Sequence, residues 1–199
     1  MLGPSASQQW QHAPEHLAMV LARYRAAAAL IGRAETVLEL GCGEGIGARM
    51  LAAGRRVYVG VDYDPAVLAV ARDLVRDVQF DHADVTADQL GSATWDAAVA
   101  LDVIEHLDAG GGERMVENAR RRLKPSGVLV VGTPSACFEH LASPASKNGH
   151  VTLYDHDRLF AMVAERFHVV QSFGMQDVAL HLGHPDARHY LLLAGIMPR

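Results

Sequence analysis

VLELGCGEGIG, residues 37–47, decides the fold. An apolar run carrying one acid, Glu39, stops at Gly41, and glycine then recurs at 43, 45 and 47. A short apolar run closed by glycine reads as a buried strand. The following GIGARMLAAG reads as a short helix ended by Gly54. A strand, a glycine turn and a helix in this order let backbone approach a ligand closely and aim helix N–H groups at it. The dinucleotide fingerprint G-x-G-x-x-G needs glycine at position 46, where this chain has Ile46. The pattern is instead E-x-G-x-G-x-G from Glu39 to Gly45, which disfavours a nicotinamide-dependent dehydrogenase.

Outward from this turn, apolar runs alternate with helical patterns. VYVGVDYD, VQFDHAD, WDAAVALD and VLVVGTP read as further strands, and HVVQSFGM and RHYLLLAGIM as the last two. PAVLAVARDLVRD, with Pro65 in its first turn, reads as a helix. GERMVENARRRLKPSG is a second helix, stopping at Pro125 and Gly127, and HDRLFAMVAERF is a third. Upstream, Pro14 to Ile31 has apolar residues at helical spacing, and residues 1 to about 14 read as a mobile arm. Residues 135–153 lack a period and read as a long irregular connection of the kind that carries function. The alternation implies one α/β domain over residues 1–199, with a mainly parallel sheet of seven strands covered on both faces. The helix-free stretch between the last two strands implies one antiparallel strand.

Acids sit where two of the strands end. Asp62 closes the second strand, where a carboxylate can accept hydrogen bonds from ribose hydroxyls. Asp84 follows the third, placed to meet an exocyclic amine or ring of an adenine.

With these elements in place the chain resembles the class I S-adenosylmethionine-dependent methyltransferases over roughly residues 35 to 135. VLELGCGEG resembles the first motif, VGVDYDP the ribose-binding acid motif and ADVT the adenine motif. WDAAVALDVIEHL resembles the fourth-strand motif and LKPSGVLVVGTP the fifth-strand segment. The resemblance implies a Rossmann-like three-layer sandwich with strand order 3-2-1-4-5-7-6 and an antiparallel last strand. It implies S-adenosyl-L-methionine as cofactor, within the motif from Glu39 to Gly45. Gly41, Cys42 and Gly43 would line the methionine end, Asp62 would hold the ribose, Tyr63 would pack on the adenine, and Asp84 with Val85 would contact the base. No chemistry is assigned to Cys42.

ALDVIEHLDA, residues 100–109, carries the remaining chemistry and admits three readings. In the first it is a pocket wall: Leu101, Asp102 and Val103 line the cofactor, while Glu105 and His106 face the acceptor. A neutral imidazole at His106 could then take a hydroxyl proton. In the second, Asp102, Glu105, His106 and the downstream His150 gather a divalent metal. That set resembles the Glu-x-x-Glu-His motif of small-RNA 2′-O-methyltransferases, with Asp in place of the first Glu. In the third, Asp102 is a helix cap and His106 an ordinary surface histidine. The same EHL string resembles quinone-biosynthesis and sugar O-methyltransferases. The leading expectation is methyl transfer to a hydroxyl of a small molecule, with His106, Glu105 and His150 as catalytic candidates and no metal assigned.

Other features bound the partners. The net charge of −5 gives no broad basic surface for nucleic acid. Arg120, Arg121, Arg122 and Lys124 read as complements to a helix C-terminus. Two cysteines and an N-terminus without basic and apolar signal regions point to a reducing, cytoplasmic setting, and no run is long enough to span a bilayer. His181, His184 and His189 read as a loop entering the last strand, with one or two near substrate. Residues 1–31 could close over the cofactor through Trp10 and His12, whereas Tyr24 fits core packing better. N-methylation, metal-assisted methylation of an RNA 3′ end and a non-catalytic cofactor-binding module remain as alternatives.

Overall fold

The apolar runs form strands because both of their faces are buried. A computed structural model describes residues 2–54, 56–142, 144–183 and 186–196. Strands β1 (Thr36–Leu40), β2 (Val57–Asp62), β3 (Gln79–His82), β4 (Trp95–Leu101) and β5 (Leu123–Pro134) run parallel. β8 (His189–Gly195) joins β5 antiparallel, β6 (Val169–Met175) pairs antiparallel with β8, and β7 (Leu180–Leu182) with β6. The sheet order is β3-β2-β1-β4-β5-β8-β6-β7.

Helices cover both faces. On one, α2 (Pro14–Leu30), α3 (Ala48–Leu51) and α4 (Pro65–Leu74) pack Tyr24, Ala27, Leu51, Leu68 and Ala71 against Val37, Val99 and Leu191. On the other, α5 (Ala109–Arg121) and α7 (His156–Ala164) pack Met115, Val116, Leu159 and Val163 against Leu38, Ala98, Leu129 and Leu192. Aspartates start three of these helices. Asp64 accepts from Ala66 N–H at 2.8 Å, Asp108 from Gly111 N–H, and Asp155 from Arg158 N–H at 2.8 Å. Each such cap contributes about 1 kcal/mol.

The structure corrects the expected layout in four places. The sheet has eight strands, not seven: part of the tail read as loop forms β7 on the outer edge, and the expected order continues as 8-6-7. The N-terminal arm is ordered as α1 (Pro4–His12), because Ser5 N–H donates to both carboxylate oxygens of Glu44 at 3.1 Å and Ala6 is buried. The α5 helix stops at Arg121, before Pro125, which instead lies within β5 where the β4–β5 register shifts; a proline fits such an irregularity because its missing N–H is not required there. Residues 135–153 are not wholly irregular. They form a 3₁₀ helix (Ala136–Leu141) and α6 (Pro144–Gly149), and their base is closed by pairing of Ser135 with Tyr154.

The basic run is neutralised in place. Arg120 and Arg121 pair with Glu117, Arg122 with Asp88 and Lys124 with Asp96. Among the described residues, no helix is long and apolar enough to cross a membrane.

Candidate active site

The carboxyl ends of β1, β2 and β4 meet at the glycine turn. Gly41 and Gly43 adopt left-handed backbone, with φ of 72° and 51°. A Cβ at Gly41 would lie 2.4 Å from Val103 Cγ2, so only glycine lets the β1 turn approach the chain leaving β4. The amides of Gly41 and Cys42 donate to Val61 O at 2.8 and 3.0 Å. Gly43 N–H donates to Asp62 Oδ2 at 2.9 Å, while Asp62 Oδ1 accepts from Asp64 N–H at 3.0 Å. The turn therefore presents backbone at close range and fixes the Asp62 carboxylate, rather than aiming a row of free amides outward. α3, at four residues, is also shorter than expected.

Beneath this turn Glu39 is buried and accepts from the Tyr58 hydroxyl. Burial pushes its carboxyl up to about 7, although the Tyr58 and Tyr24 hydroxyls lower it. Cys42 is buried too, and burial with the Glu39 carboxylate nearby pushes its thiol up, so no thiolate forms at neutral pH. Tyr63 is 75 % exposed beside Asp62, and its carbonyl accepts from His82 Nε2 at 2.9 Å. Asp84 Oδ1 accepts from both Thr86 N–H and Thr86 Oγ1 at 2.8 Å, and these bonds lower its pKa. Val85 and Leu101 are buried in the core nearby.

The ALDVIEHLDA stretch divides after β4. Asp102 turns toward α2: its carboxylate pairs with Arg23 Nη2 and accepts from His189 Nε2 at 3.1 Å. Burial would raise its pKa, but Arg23 and His189 outweigh this and hold the carboxyl well below the usual range. Glu105 turns the other way, is buried, and accepts from Thr133 Oγ1 at 2.9 Å. Burial, then the Asp102 carboxylate, hold its pKa well above the usual range.

His106 and His150 converge on Glu105. Their rings lie 5.4 Å apart, and one ligand atom from each of the three residues falls within 4.8 Å of the others. His106 Nδ1 donates to Gly149 O at 2.8 Å, and His150 Nδ1 donates to Glu139 Oε2 at 2.9 Å. Carbonyl and carboxylate oxygens only accept, so both rings carry a proton on Nδ1, and in the neutral form of each ring Nε2 keeps its lone pair. The connection is strapped down here: Val151 and Thr152 N–H donate to Glu105 O at 2.7 and 3.0 Å, and Thr152 Oγ1 to Leu107 O at 2.7 Å. Three of the four expected metal-ligand candidates thus come together. Asp102 does not join them, because Arg23 and His189 hold it.

Residues 37–127 match the family model described as Methyltransferase domain. Over this stretch the chain resembles S-adenosylmethionine-dependent methyltransferases. Over 99 residues, half of its length, the chain is 39 % identical to a probable S-adenosylmethionine-dependent methyltransferase of Mycolicibacterium smegmatis, 38 % of which is covered. Over 104 residues it is 32 % identical to the ubiquinone biosynthesis O-methyltransferase of Pseudomonas paraeruginosa, covering 50 % of this chain and 44 % of that one. The matched stretch therefore spans less than half of these curated relatives.

Solved structures share the fold across nearly the whole chain. A Thermotoga maritima S-adenosylmethionine-dependent methyltransferase, described as a possible histamine N-methyltransferase, superposes with a TM-score of 0.75 at 17 % identity, covering 96 % of this chain and 95 % of the other. The methyltransferase domain of bacterial CtHen1-C gives 0.74 at 17 % identity, covering 91 % and 100 %.

Some functional neighbours were not singled out from the sequence. Arg23 lies on the same stripe of α2 as Val20 and Ala27, and a charge on an apolar stripe is a signal of a buried partner. Thr133, Glu139 and Glu44 act through contacts 28, 11 and 39 residues away, which no local pattern encodes. Of the tail histidines, His189 is buried against Asp102, His181 lies on β7, and His184 is outside the described residues.

Proposed function

We propose that this protein transfers the methyl group of S-adenosyl-L-methionine to a hydroxyl of a small molecule. The observation that carries the reading is the cradle at the carboxyl ends of β1, β2 and β4, where left-handed Gly41 and Gly43 meet a fixed Asp62 carboxylate and Val103. Glu39, Gly41, Cys42, Gly43 and Gly45 form and support the methionine end, with Leu101, Asp102 and Val103 as the far wall. Asp62 takes the ribose hydroxyls, and Tyr63, Asp84 and Val85 frame the adenine. Glu105, His106 and His150 face the acceptor. The N-terminal segment, whose first turn rests on Glu44 of the glycine turn, serves as the cover. The likeness to the Pseudomonas relative favours oxygen as the methylated atom, and the neutralised basic run favours a small acceptor over nucleic acid. Calorimetric titration with S-adenosylhomocysteine tests the cofactor site. Micromolar binding is expected, weakened at least tenfold in Asp62→Ala; no binding to the wild type overturns the reading.

A second reading concerns the acceptor side. The Glu105, His106 and His150 cluster fits a divalent cation: two imidazole lone pairs and one carboxylate suit Zn²⁺, Fe²⁺ or Mn²⁺. Both rings are oriented by hydrogen bonds from Nδ1, the arrangement that sets up metal-ligating histidines. A cation there would supply charge to polarise an acceptor oxygen, and would offset the cost of the buried Glu105 carboxylate. Titration with Co²⁺ followed by visible absorption tests it. A d–d band removed by chelator and lost in His106→Ala with His150→Ala is the expected result. A spectrum identical in wild type and double variant excludes this site.

A further inference from the structure

A second imidazole stands on the α2 side of the β4 tip, better equipped for proton transfer than His106. His189 begins β8, which is antiparallel to β5, so it lies at the same sheet edge as Asp102. It is 8 % exposed, and its Nε2–H donates to Asp102 Oδ1 at 3.1 Å. The other Asp102 oxygen accepts from Arg23, itself buried on α2. Asp102 reaches both partners from a left-handed backbone with φ of 55°. Because Nε2 carries the proton, Nδ1 is the basic atom, and it makes no hydrogen bond among the described residues.

We propose that His189 is the base that accepts the proton of the acceptor hydroxyl, with Asp102 holding the ring and Arg23 holding Asp102. The proposal rests on the hydroxyl reading above. In the step, the hydroxyl proton passes to His189 Nδ1. An oxygen lone pair forms the bond to the sulfonium methyl carbon, and the electron pair of the breaking C–S bond stays on sulfur. The products are a methyl ether, neutral S-adenosylhomocysteine and an imidazolium beside the Asp102 carboxylate; the proton then leaves to water. Positive charge moves from sulfur to a ring already paired with an anion, the arrangement in which a carboxylate stabilises the imidazolium that forms.

His106 lacks this support. Its Nδ1–H rests on a neutral carbonyl, its ring is exposed, and it belongs to the Glu105 and His150 cluster. The groups facing His189 are Asp102, Arg23 and, from the first turn of α2, His16. Burial, then Arg23, push the His189 ring below its ordinary value against the pull of Asp102, which keeps it neutral, and so able to take a proton, at neutral pH.

The test is single-turnover methyl transfer to a catechol probe between pH 5.5 and 9, with S-adenosylhomocysteine binding measured in parallel. His189→Gln is expected to bind S-adenosylhomocysteine within threefold of wild type. Its transfer rate should fall ~10²–10⁴-fold near neutral pH. The residual rate should climb with the phenolate fraction of the probe while wild type stays flat, and imidazole should restore His189→Gly. A His189→Gln rate within threefold of wild type, or a lower rate with the wild-type pH profile, overturns the proposal. Wild type that methylates an amine probe and no catechol, or neither, overturns the hydroxyl reading instead. Should His189→Gln fail to fold, ¹⁵N chemical shifts of wild-type His189 at pH 7 decide: a ring protonated only on Nε2 supports the assignment, and one protonated on Nδ1 sinks it.

Discussion

Glu39 shows how one buried carboxylate sets a pH response. Its pKa is raised, from an ordinary 4.5 to about 7, so the folded protein holds this proton more tightly than the unfolded chain does. Folding is then favoured by this group below pH 4.5, and that advantage is lost as pH rises to 7. A shift of that size is worth about 3 kcal/mol, with no discount for solvent because the side chain is fully buried. Glu39→Gln keeps an acceptor for Tyr58 and removes the titration. The melting temperature of the ligand-free variant, minus that of wild type, is expected to rise between pH 5 and 7 and then level off. A difference that does not change with pH would show that Glu39 ionises like an exposed carboxylate. The acid itself was legible in the glycine motif; its Tyr58 partner was not, because that contact crosses from β1 to β2.

At the scale of elements, the packing of α2 onto the glycine turn depends on the absence of a side chain. A Cβ at Gly47 would fall 1.9 Å from Tyr24 Cε1. Its backbone is ordinary, with φ of −81°, so the constraint is contact and not conformation. Gly47→Ala should cost about 1–3 kcal/mol, read as a lower urea midpoint with an unchanged slope. An unchanged midpoint would mean that α2 shifts without cost. The helical spacing of α2 was plain in the sequence, as was its Tyr24 on the core face. Short α1 was not: it is largely polar, and its first-turn Ser5 amide is served by a glutamate 39 residues away. β7 was hidden for a similar reason. Three residues cannot display an alternation, and its strand character comes from pairing with β6.

For the whole molecule, the strands most buried on both faces were the most legible, since a continuous apolar run states its environment directly. The cofactor edge followed from them, because a parallel sheet puts its ligand at the carboxyl ends of strands. The proposed acceptor side was legible as a set of residue types, but not in its pairing. Asp102 was grouped with Glu105, His106 and His150 by spacing, yet Arg23, 79 residues away, and His189, 87 residues away, draw it to the other side. Closing the sheet also leaves β7 as an outer edge carrying Leu182, which is 75 % exposed. Exposed edges promote pairing between chains, and lysine suppresses it. Leu182→Lys is expected to reduce light scattering during refolding while changing stability by less than about 0.5 kcal/mol. Greater scattering in the variant would overturn this.

The pairing of Ser135 with Tyr154 gives residues 136–153 the character of an exchangeable cassette. Its two ends lie side by side, so the excursion can be cut out and replaced without moving a strand. It carries His150 and Glu139 together, one ring and the group that orients it, while Glu105 and His106 stay with the sheet. Under the proposed function, a single replacement across those neighbouring ends would change acceptor preference in one event and leave the cofactor half inherited intact.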